Sequence, residues 1–234
     1  MRSAILVSGA GGALGSALVT HLAKSGLVVA AGRGVSQSEL DAAHGAGRAL
    51  AAPLELGVAT AWRELAERLR REDIGVDGAV LAAGGWRGGA TLSETPDDVW
   101  SAMLGGNLET VRVSLQALLP SMVERRRGSV VVIASSAAAR PWESAKAAAY
   151  AASKAGALAL VQASAAEVLA SGVRVNALLP STIDTPANRN AMPKADFSRW
   201  VSPASIAEVA GFMLSDAARD ISGAALPVYG RAFV

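Results

Sequence analysis

The sequence predicts an α/β fold in which about seven parallel strands form a doubly wound sheet with helices on both faces. Short runs of Val, Ala, Leu and Ile alternate with longer segments of helical periodicity, and this alternation is typical of βαβ units. Hydrophobic residues make up 51% of the 234 positions, enough for a sizeable core. No repeat or low-complexity linker interrupts the pattern, so we expect a single domain over residues 1–234.

The individual elements follow from these runs in chain order. Strands are predicted near 4–8, 27–31, 49–52, 78–82, 129–134, 173–178 and 225–229. Helices are predicted near 13–25, 37–45, 59–72, 97–126 with a break around Gly105-Gly106, 144–170 and 203–215. Ser36 and Glu39 have capping-box spacing, and Pro203 suits a first helical turn. Residues 180–201 have weak periodicity and are predicted to form a lid over a functional site.

Composition and charge argue against several classes of protein. The formal charge is only +2, and the one basic cluster, Arg125 to Arg127, falls at a predicted helix end where it complements the dipole. A nucleic-acid partner is therefore not expected. Cysteine is absent and His21 and His44 are the only histidines, so no metal site is predicted. Without a signal-peptide pattern or a membrane-length apolar stretch, we expect a cytoplasmic protein with no membrane partner.

A glycine-rich turn joins the first predicted strand to the first helix. It contains Gly9, Gly11, Gly12 and Gly15, with Ala13 and Leu14 between them. Backbone N–H groups at a helix N-terminus attract a pyrophosphate, and glycines let it approach closely. The turn therefore predicts a dinucleotide site, although a glycine cluster alone is also compatible with an ordinary tight turn.

The end of the second predicted strand indicates which dinucleotide binds. NAD sites place a carboxylate here to hold the ribose 2′-hydroxyl, but this chain reads Ala31-Gly32-Arg33-Gly34. A guanidinium pairs well with a 2′-phosphate. Arg33 therefore predicts NADPH rather than NADH, the alternative being a solvated surface arginine.

Tyr150 and Lys154 are four residues apart in a predicted helix, so their side chains share one face about a turn apart. A nearby positive charge favours phenolate, which predicts a lowered pKa for Tyr150. A carbonyl that receives a hydride needs a proton donor of this kind. The pair therefore points to a nicotinamide-dependent reductase.

Several further motifs occur in a fixed order around this pair. They are Ser8-Gly9 to Gly15, Ala83-Gly84-Gly85, Asn107, the strand from Gly128 to Ser136, Tyr150 with Lys154, and Asn176 to Thr185. Together they resemble the short-chain dehydrogenase/reductase superfamily over almost the whole chain, which implies a Rossmann-type fold. The chain departs from the family pattern at Ala13, at Ser181, and before Ala83, where two asparagines are missing.

The resemblance implies roles for individual residues. Catalysis is assigned to Tyr150, Lys154, Ser135 and Asn107, with Asn107 supporting a proton-relay water. Ser136 competes with Ser135, because Tyr150 follows Ser135 by 15 residues and Ser136 by 14, whereas the family spacing is usually 13. Asn107 has the alternative role of a helix cap. The implied cofactor contacts are Gly9, Gly11, Gly12, Ala13, Leu14, Gly15, Arg33, Glu55, Leu56, Ala83, Gly84, Gly85, Tyr150, Lys154, Pro180, Ile183 and Thr185, where Thr185 either binds the nicotinamide carboxamide or closes its loop.

Within this superfamily, the chain is similar to quinonoid dihydropteridine reductase over residues 12–16, 83–89, 179–189 and 192–200. Those enzymes typically lack the serine and asparagine found here and carry an acid in place of Arg33. Ser136, Trp86 and Trp142 are predicted substrate contacts, since tryptophans stack on planar ligands. Ordinary packing is the alternative for each tryptophan.

Three functions follow from this reading. The first is an NADPH-dependent oxidoreductase that reduces a small-molecule ketone, the second a pterin reductase, and the third a non-catalytic dinucleotide sensor. The intact Tyr150, Lys154 and Ser135 argue against the sensor. The resemblance also implies a homodimer or homotetramer assembled through helices near 106–126 and 147–170.

Overall fold

A computed structural model describes residues 1–233 and contains one sheet of seven parallel strands. The strands are β1 Arg2–Ser8, β2 Leu27–Ala31, β3 Ala49–Ala52, β4 Ile74–Leu81, β5 Gly128–Ile133, β6 Val173–Pro180 and β7 Ala225–Val228. Their spatial order is β3-β2-β1-β4-β5-β6-β7. The order reverses between β1 and β4, and the crevice at such a switch point is where doubly wound sheets bind ligands.

Helices cover both faces of the sheet, as a two-sided parallel sheet requires. They are α1 Ala13–Leu22, α2 Gln37–His44, α3 Ala59–Arg71, α4 Asp97–Met103, α5 Thr110–Glu124, α6 Ser136–Ala139, α7 Ala148–Val168, α8 Pro186–Ala191 and α9 Pro203–Leu214. One core cluster packs α3, α5 and α7 against one face. The other packs α1 and α9 against the opposite face. Alternate residues supply the two clusters, since Leu6 lies in the first and Val7 in the second.

The predicted sheet and helical layers are confirmed, and two predicted boundaries and one predicted helix cap need correction. β4 begins at Ile74 rather than at residue 78, because its first residues pair with Arg2 to Ala4 of β1. α7 begins at Ala148 rather than at residue 144, because Lys146 has a left-handed φ of 62° that stops a helix. The capping box does not form, since the side chain of Ser36 does not cap α2.

The predicted break in the long fourth helix is confirmed. Residues Leu104–Glu109 form a π-helical turn between α4 and α5, and such turns are frequent at functional sites. The basic triplet also lies as predicted at a helix end, since Arg125 is the C-cap that follows α5. Pro203 occupies the first turn of α9.

Within residues 1–233, no helix combines the length and apolarity needed to cross a membrane. Over the same range, no three His, Cys, Asp or Glu side chains are grouped so that they could hold a metal ion.

Candidate active site

The sequence-predicted site residues meet at the carboxyl edge of the sheet. The turn at Gly9 follows β1, Ala83 to Gly85 follow β4, Ser135 follows β5, and the predicted lid follows β6. α7 crosses this edge and presents Tyr150 and Lys154. Because the strands are parallel, segments far apart in sequence are brought to one crevice.

Lys154 lies deep in this crevice. Its residue surface is only 6% exposed, and Nζ donates a hydrogen bond of 3.0 Å to the carbonyl oxygen of Ile133, at the end of β5. A Cβ atom on Gly84 would lie 3.2 Å from Nζ, so the loop after β4 lies against the ammonium. Burial lowers the pKa of Lys154 from its ordinary 10.5 to about 8, since removing a charge from water disfavours the charged form.

Tyr150 does not have the lowered pKa that the sequence predicts. Burial raises the pKa of its phenol, and a side-chain hydrogen bond with Ser135 lowers it by a smaller amount. The prediction is wrong because it counted the nearby charge and omitted desolvation. Tyr150 is therefore a neutral phenol at neutral pH, the form that can donate a proton.

Ser135 is the serine that the structure places beside Tyr150. It is 8% exposed, and its side chain is close enough to the Tyr150 phenol to lower the pKa of that group. Its Oγ also accepts a hydrogen bond of 3.2 Å from the backbone N–H of Ala137 and so caps α6. Ser136 is the first residue of that short helix. The cap fixes the Ser135 side chain toward the crevice.

Asn107 is fully buried within the π-helical turn. Its Oδ1 accepts from the N–H of Gly85 at 2.9 Å, and its Nδ2 donates to the carbonyl oxygen of Gly85 at 3.1 Å. Nδ2 also donates to Ser153 Oγ at 3.1 Å. Since α4, the π turn and α5 run on without an N-terminal cap at this position, Asn107 joins the loop after β4 to α7 rather than capping a helix.

Ser153 is a site residue that sequence reasoning missed. Fully buried, it accepts from Asn107 and donates a hydrogen bond of 2.7 Å to the carbonyl oxygen of Tyr150. Asn107, Ser153 and the Tyr150 backbone thus form one continuous chain of hydrogen bonds. The available signal was a polar residue immediately before Lys154 in an otherwise alanine-rich stretch.

The glycine turn has the close packing that a pyrophosphate cradle needs. Gly9 has a φ of 72°, and a Cβ there would lie 2.8 Å from the backbone nitrogen of Ala83. A Cβ on Gly15 would lie 2.0 Å from the carbonyl oxygen of Gly9. Any side chain at these positions would push the turn off β4 or off α1. Gly12, Ala13 and Leu14 lie at the start of α1, where N–H groups favour an anion.

Arg33 and Glu55 lie together at the adenosine end of the predicted dinucleotide site. The Arg33 side chain is 83% exposed, and its Nε is 3.8 Å from Glu55 Oε1. A Cβ on Gly11 would lie 3.3 Å from the carbonyl oxygen of Arg33, so Arg33 borders the glycine turn. Next along the chain, the carbonyl oxygen of Leu56 accepts from the indole N–H of Trp62 at 2.9 Å. The exposed ion pair between Arg33 and Glu55 is weak at 3.8 Å, which leaves the Arg33 guanidinium available to a ligand.

The predicted lid is more ordered than its sequence indicated. It contains α8 and a short 3₁₀ turn, Phe197–Arg199. After Pro180 ends β6, Ile183 forms an isolated bridge to Val201. Thr185 Oγ1 accepts from the N–H of Asn188 at 3.2 Å and caps α8. Of its two predicted roles, closing the loop is the one that this contact supports.

The two predicted substrate tryptophans are both exposed but differ in position. Trp86 lies near the start of α7, since a Cβ on Gly88 would be 2.8 Å from Trp86 Cζ2 and 2.9 Å from the carbonyl oxygen of Lys146. Trp142 borders a hollow lined by Ala148, Ala152 and Ala155 of α7. At 100° per residue these alanines lie on the opposite side of α7 from Tyr150. The role of Trp142 as a substrate contact stays a prediction.

The chain belongs to the short-chain dehydrogenase family. The model of that family, short chain dehydrogenase, matches residues 3–196, which include the glycine turn, Ser135, Tyr150 and Lys154. The observed seven-stranded Rossmann-type sheet agrees with this membership.

Individual relatives span the full length of the fold. A 3-oxoacyl-[acyl-carrier-protein] reductase from Thermotoga maritima is 28% identical, with 96% of this chain and 95% of the relative covered. A short-chain dehydrogenase/reductase family oxidoreductase from Burkholderia thailandensis superposes with a TM-score of 0.86 at 32% identity, covering 100% of this chain and 93% of the other. A Brucella melitensis 3-oxoacyl-[acyl-carrier protein] reductase with bound NAD gives 0.83 at 27% identity, with coverage of 97% and 90%.

Proposed function

We propose that the protein is an NADPH-dependent carbonyl reductase whose single catalytic domain spans residues 1–234. The observation that carries this proposal is the half-buried Tyr150 phenol beside the Ser135 side chain, one helical turn from the buried Lys154. The glycine turn opens onto the same edge of the sheet. Two of the relatives are 3-oxoacyl-[acyl-carrier-protein] reductases, which supports a carbonyl as the reacting group.

The proposed reaction gives a separate role to each of three side chains. The dinucleotide, when bound, supplies a hydride for the carbonyl carbon. Tyr150 donates its phenolic proton to the carbonyl oxygen, and Ser135 donates a hydrogen bond to the same oxygen. Lys154 binds the neighbouring ribose and stabilises the phenolate that proton donation leaves.

Asn107 acts as a positioning residue in this scheme. Its bonds to Gly85 and Ser153 fix the loop after β4 against the turn of α7 that carries Tyr150. The relay water that the family resemblance implies stays a prediction, as do the cofactor contacts of Ala83, Pro180 and Ile183.

We assign the preference for NADPH to Arg33. In the variant Arg33→Asp, the ratio of kcat/KM for NADPH to that for NADH is expected to fall by at least about tenfold, because a charge-assisted contact to the 2′-phosphate is replaced by repulsion. Steady-state kinetics with each dinucleotide at a fixed ketone concentration measures this ratio. Arg48→Asp, a change of the same charge at another exposed arginine, is the matched control. An unchanged ratio in Arg33→Asp contradicts the assignment.

The reaction itself is tested by NADPH oxidation at 340 nm. Purified protein is given a panel of ketones and, separately, quinonoid dihydropterin. We expect ketone turnover. Turnover of the pterin alone would replace the proposal with the pterin reductase, and NADPH binding without turnover of either would support the dinucleotide sensor.

We further propose that the protein assembles as a homodimer or homotetramer through α5 and α7. The exposed side of α7 carries Ala152, Ala159, Ala163 and Ala166, which lie on one face at helical spacing. Small side chains let a second helix approach closely. The cytoplasmic location remains a prediction from the sequence.

A further inference from the structure

The lid contacts the segment that follows β7. Residues 230–233, which we call the anchor segment, leave β7 at the carboxyl edge of the sheet. Gly230 turns this segment with a left-handed φ of 58°. A Cβ atom there would lie 3.1 Å from the carbonyl oxygen of Arg199 and 3.1 Å from Val201 Cγ2. The anchor segment therefore lies directly against the end of the lid.

Arg199 joins the lid to two successive peptide units of the anchor segment. Its Nε donates to the carbonyl oxygen of Arg231 at 3.1 Å, and its Nη2 donates to the carbonyl oxygen of Ala232 at 3.0 Å. In return, the backbone N–H of Arg231 donates to the carbonyl oxygen of Arg199 at 3.2 Å. Hydrogen bonds from a charged donor are stronger than those between neutral groups, and the planar guanidinium serves two neighbouring carbonyls at once. One half-buried side chain thus holds the two segments together.

The other end of the anchor segment contacts the loop that carries Ser135. The ring centroid of Phe233 lies 4.3 Å from the guanidinium carbon of Arg140, which is a cation–π contact. Arg140 follows α6, the short helix that Ser135 caps. Its Nε donates to Glu143 Oε1 at 2.9 Å. The anchor segment therefore bridges the lid, which follows β6, and the loop that follows β5.

Contacts within the lid let this one attachment hold the whole lid. Ile183 bridges to Val201 and so joins the two ends of the lid. Between them, Arg189 Nη2 donates to Asp184 Oδ2 at 2.7 Å, and the Arg189 guanidinium carbon lies 4.7 Å from the ring centroid of Phe197. A loop closed on itself in this way moves as one body, as lids that open about a hinge do. The attachment at Arg199 therefore restrains the lid as a unit.

We propose that Arg199 is a positioning residue that holds the lid closed through the anchor segment. This role rests on the proposed function, since the lid must cover a bound dinucleotide. Ile183, one of the predicted cofactor contacts, belongs to the lid and moves with it. While Arg199 binds the anchor segment, the lid stays beside the loop of Ser135 and retains the dinucleotide. When these bonds break, the lid opens and the dinucleotide dissociates.

Hydrogen exchange of the full-length protein without dinucleotide tests the attachment. In Arg199→Met, amides of the lid are expected to exchange at least about tenfold faster than in wild type, the ratio for one hydrogen bond from a charged donor. Exchange in β5 and α7 is expected to be unchanged, because the substitution leaves the core clusters intact. Faster exchange throughout the chain would indicate a general loss of stability and would contradict the positioning role.

Dissociation of NADPH tests the consequence for the dinucleotide. Displacement by excess NADP⁺, followed by nucleotide fluorescence, gives the rate constant, which is expected to rise at least about tenfold in Arg199→Met. Phe233→Ala, at the other end of the anchor segment, is expected to raise it about threefold, the ratio for an exposed cation–π contact. Lys194→Met is the matched control, since it removes an exposed positive charge from the same lid. This control is expected to release NADPH like wild type.

The possible outcomes separate this role from the proposed function. Unchanged lid exchange in Arg199→Met, unchanged NADPH dissociation in that variant, or an equal acceleration in Lys194→Met would each overturn the role of Arg199. Absence of NADPH binding by the wild type would instead overturn the proposed function, and lid exchange alone would then decide whether Arg199 holds the lid.

Discussion

Replacing Tyr150 with phenylalanine is expected to lower kcat for ketone reduction by about 10²- to 10⁴-fold, the range that a positioned general acid contributes. The variant removes only the phenolic oxygen, which Ser135 contacts in the crevice. The ring remains to fill the half-buried space. Affinity for NADPH should change little, because the glycine turn and Arg33 lie on other elements. Single-turnover measurements with saturating NADPH separate the chemical step from cofactor binding.

The chain offers a matched control for this substitution. Tyr229 is the only other tyrosine, and its contact with the lid segment uses the backbone carbonyl, which accepts from Ser181 Oγ at 2.8 Å. Tyr229→Phe should therefore retain wild-type turnover. A loss below tenfold in Tyr150→Phe would rule out Tyr150 as the proton donor. Equal losses in the two variants would indicate a general effect of removing a hydroxyl.

The direction of the Tyr150 pKa shift bears on which reaction the site favours. A raised pKa keeps the phenol protonated through neutral pH, and a protonated phenol is ready for carbonyl reduction. Alcohol oxidation needs the phenolate instead. Binding of a dinucleotide beside Lys154 changes the surroundings of both groups, so this direction applies to the protein without cofactor.

Sequence reasoning located the layers of the fold and the catalytic edge because both depend on local signals. Buried parallel strands are continuous apolar runs, and Tyr150 and Lys154 share a helix face by spacing alone. The break at Gly105-Gly106 could also be predicted, because it too depends on a local signal in the sequence. Its π-helical form was not, because that form brings Asn107 toward Gly85 and Ser153, which are distant in sequence.

The errors have a common physical origin in tertiary surroundings. The start of α7 depends on Lys146, which takes a left-handed conformation while its carbonyl oxygen accepts from the N–H of Gly89 at 2.7 Å. Burial also reversed the expected pKa shift of Tyr150, and spacing carries no information about desolvation.

Replacing Lys154 with methionine is expected to stabilise the ligand-free protein at pH 7 by about 2 kcal/mol, while lowering its activity. The pKa of Lys154 falls from 10.5 to about 8 on folding. At about 1.4 kcal/mol per unit this corresponds to roughly 3 kcal/mol, part of which is lost when the carbonyl oxygen of Ile133 loses its donor. Methionine has a similar length and no charge to desolvate.

The pH dependence identifies the origin of this stabilisation. Below pH 8 the folded wild type holds a buried charge and bears the whole penalty. Between pH 8 and 10.5 the unfolded chain binds more protons than the folded one, so wild-type stability rises with pH. The advantage of Lys154→Met should therefore be largest at pH 7 and reverse above pH 10.5, where the penalty is gone and the variant still lacks the hydrogen bond to Ile133, about 1 kcal/mol. Urea unfolding at pH 7, 9 and 10.5 measures it, with the exposed Lys24→Met as control. A variant less stable than wild type at pH 7 would mean that the ammonium stabilises the fold. A variant more stable than wild type, as expected, would mean that Lys154 serves the reaction and lowers the free energy of unfolding.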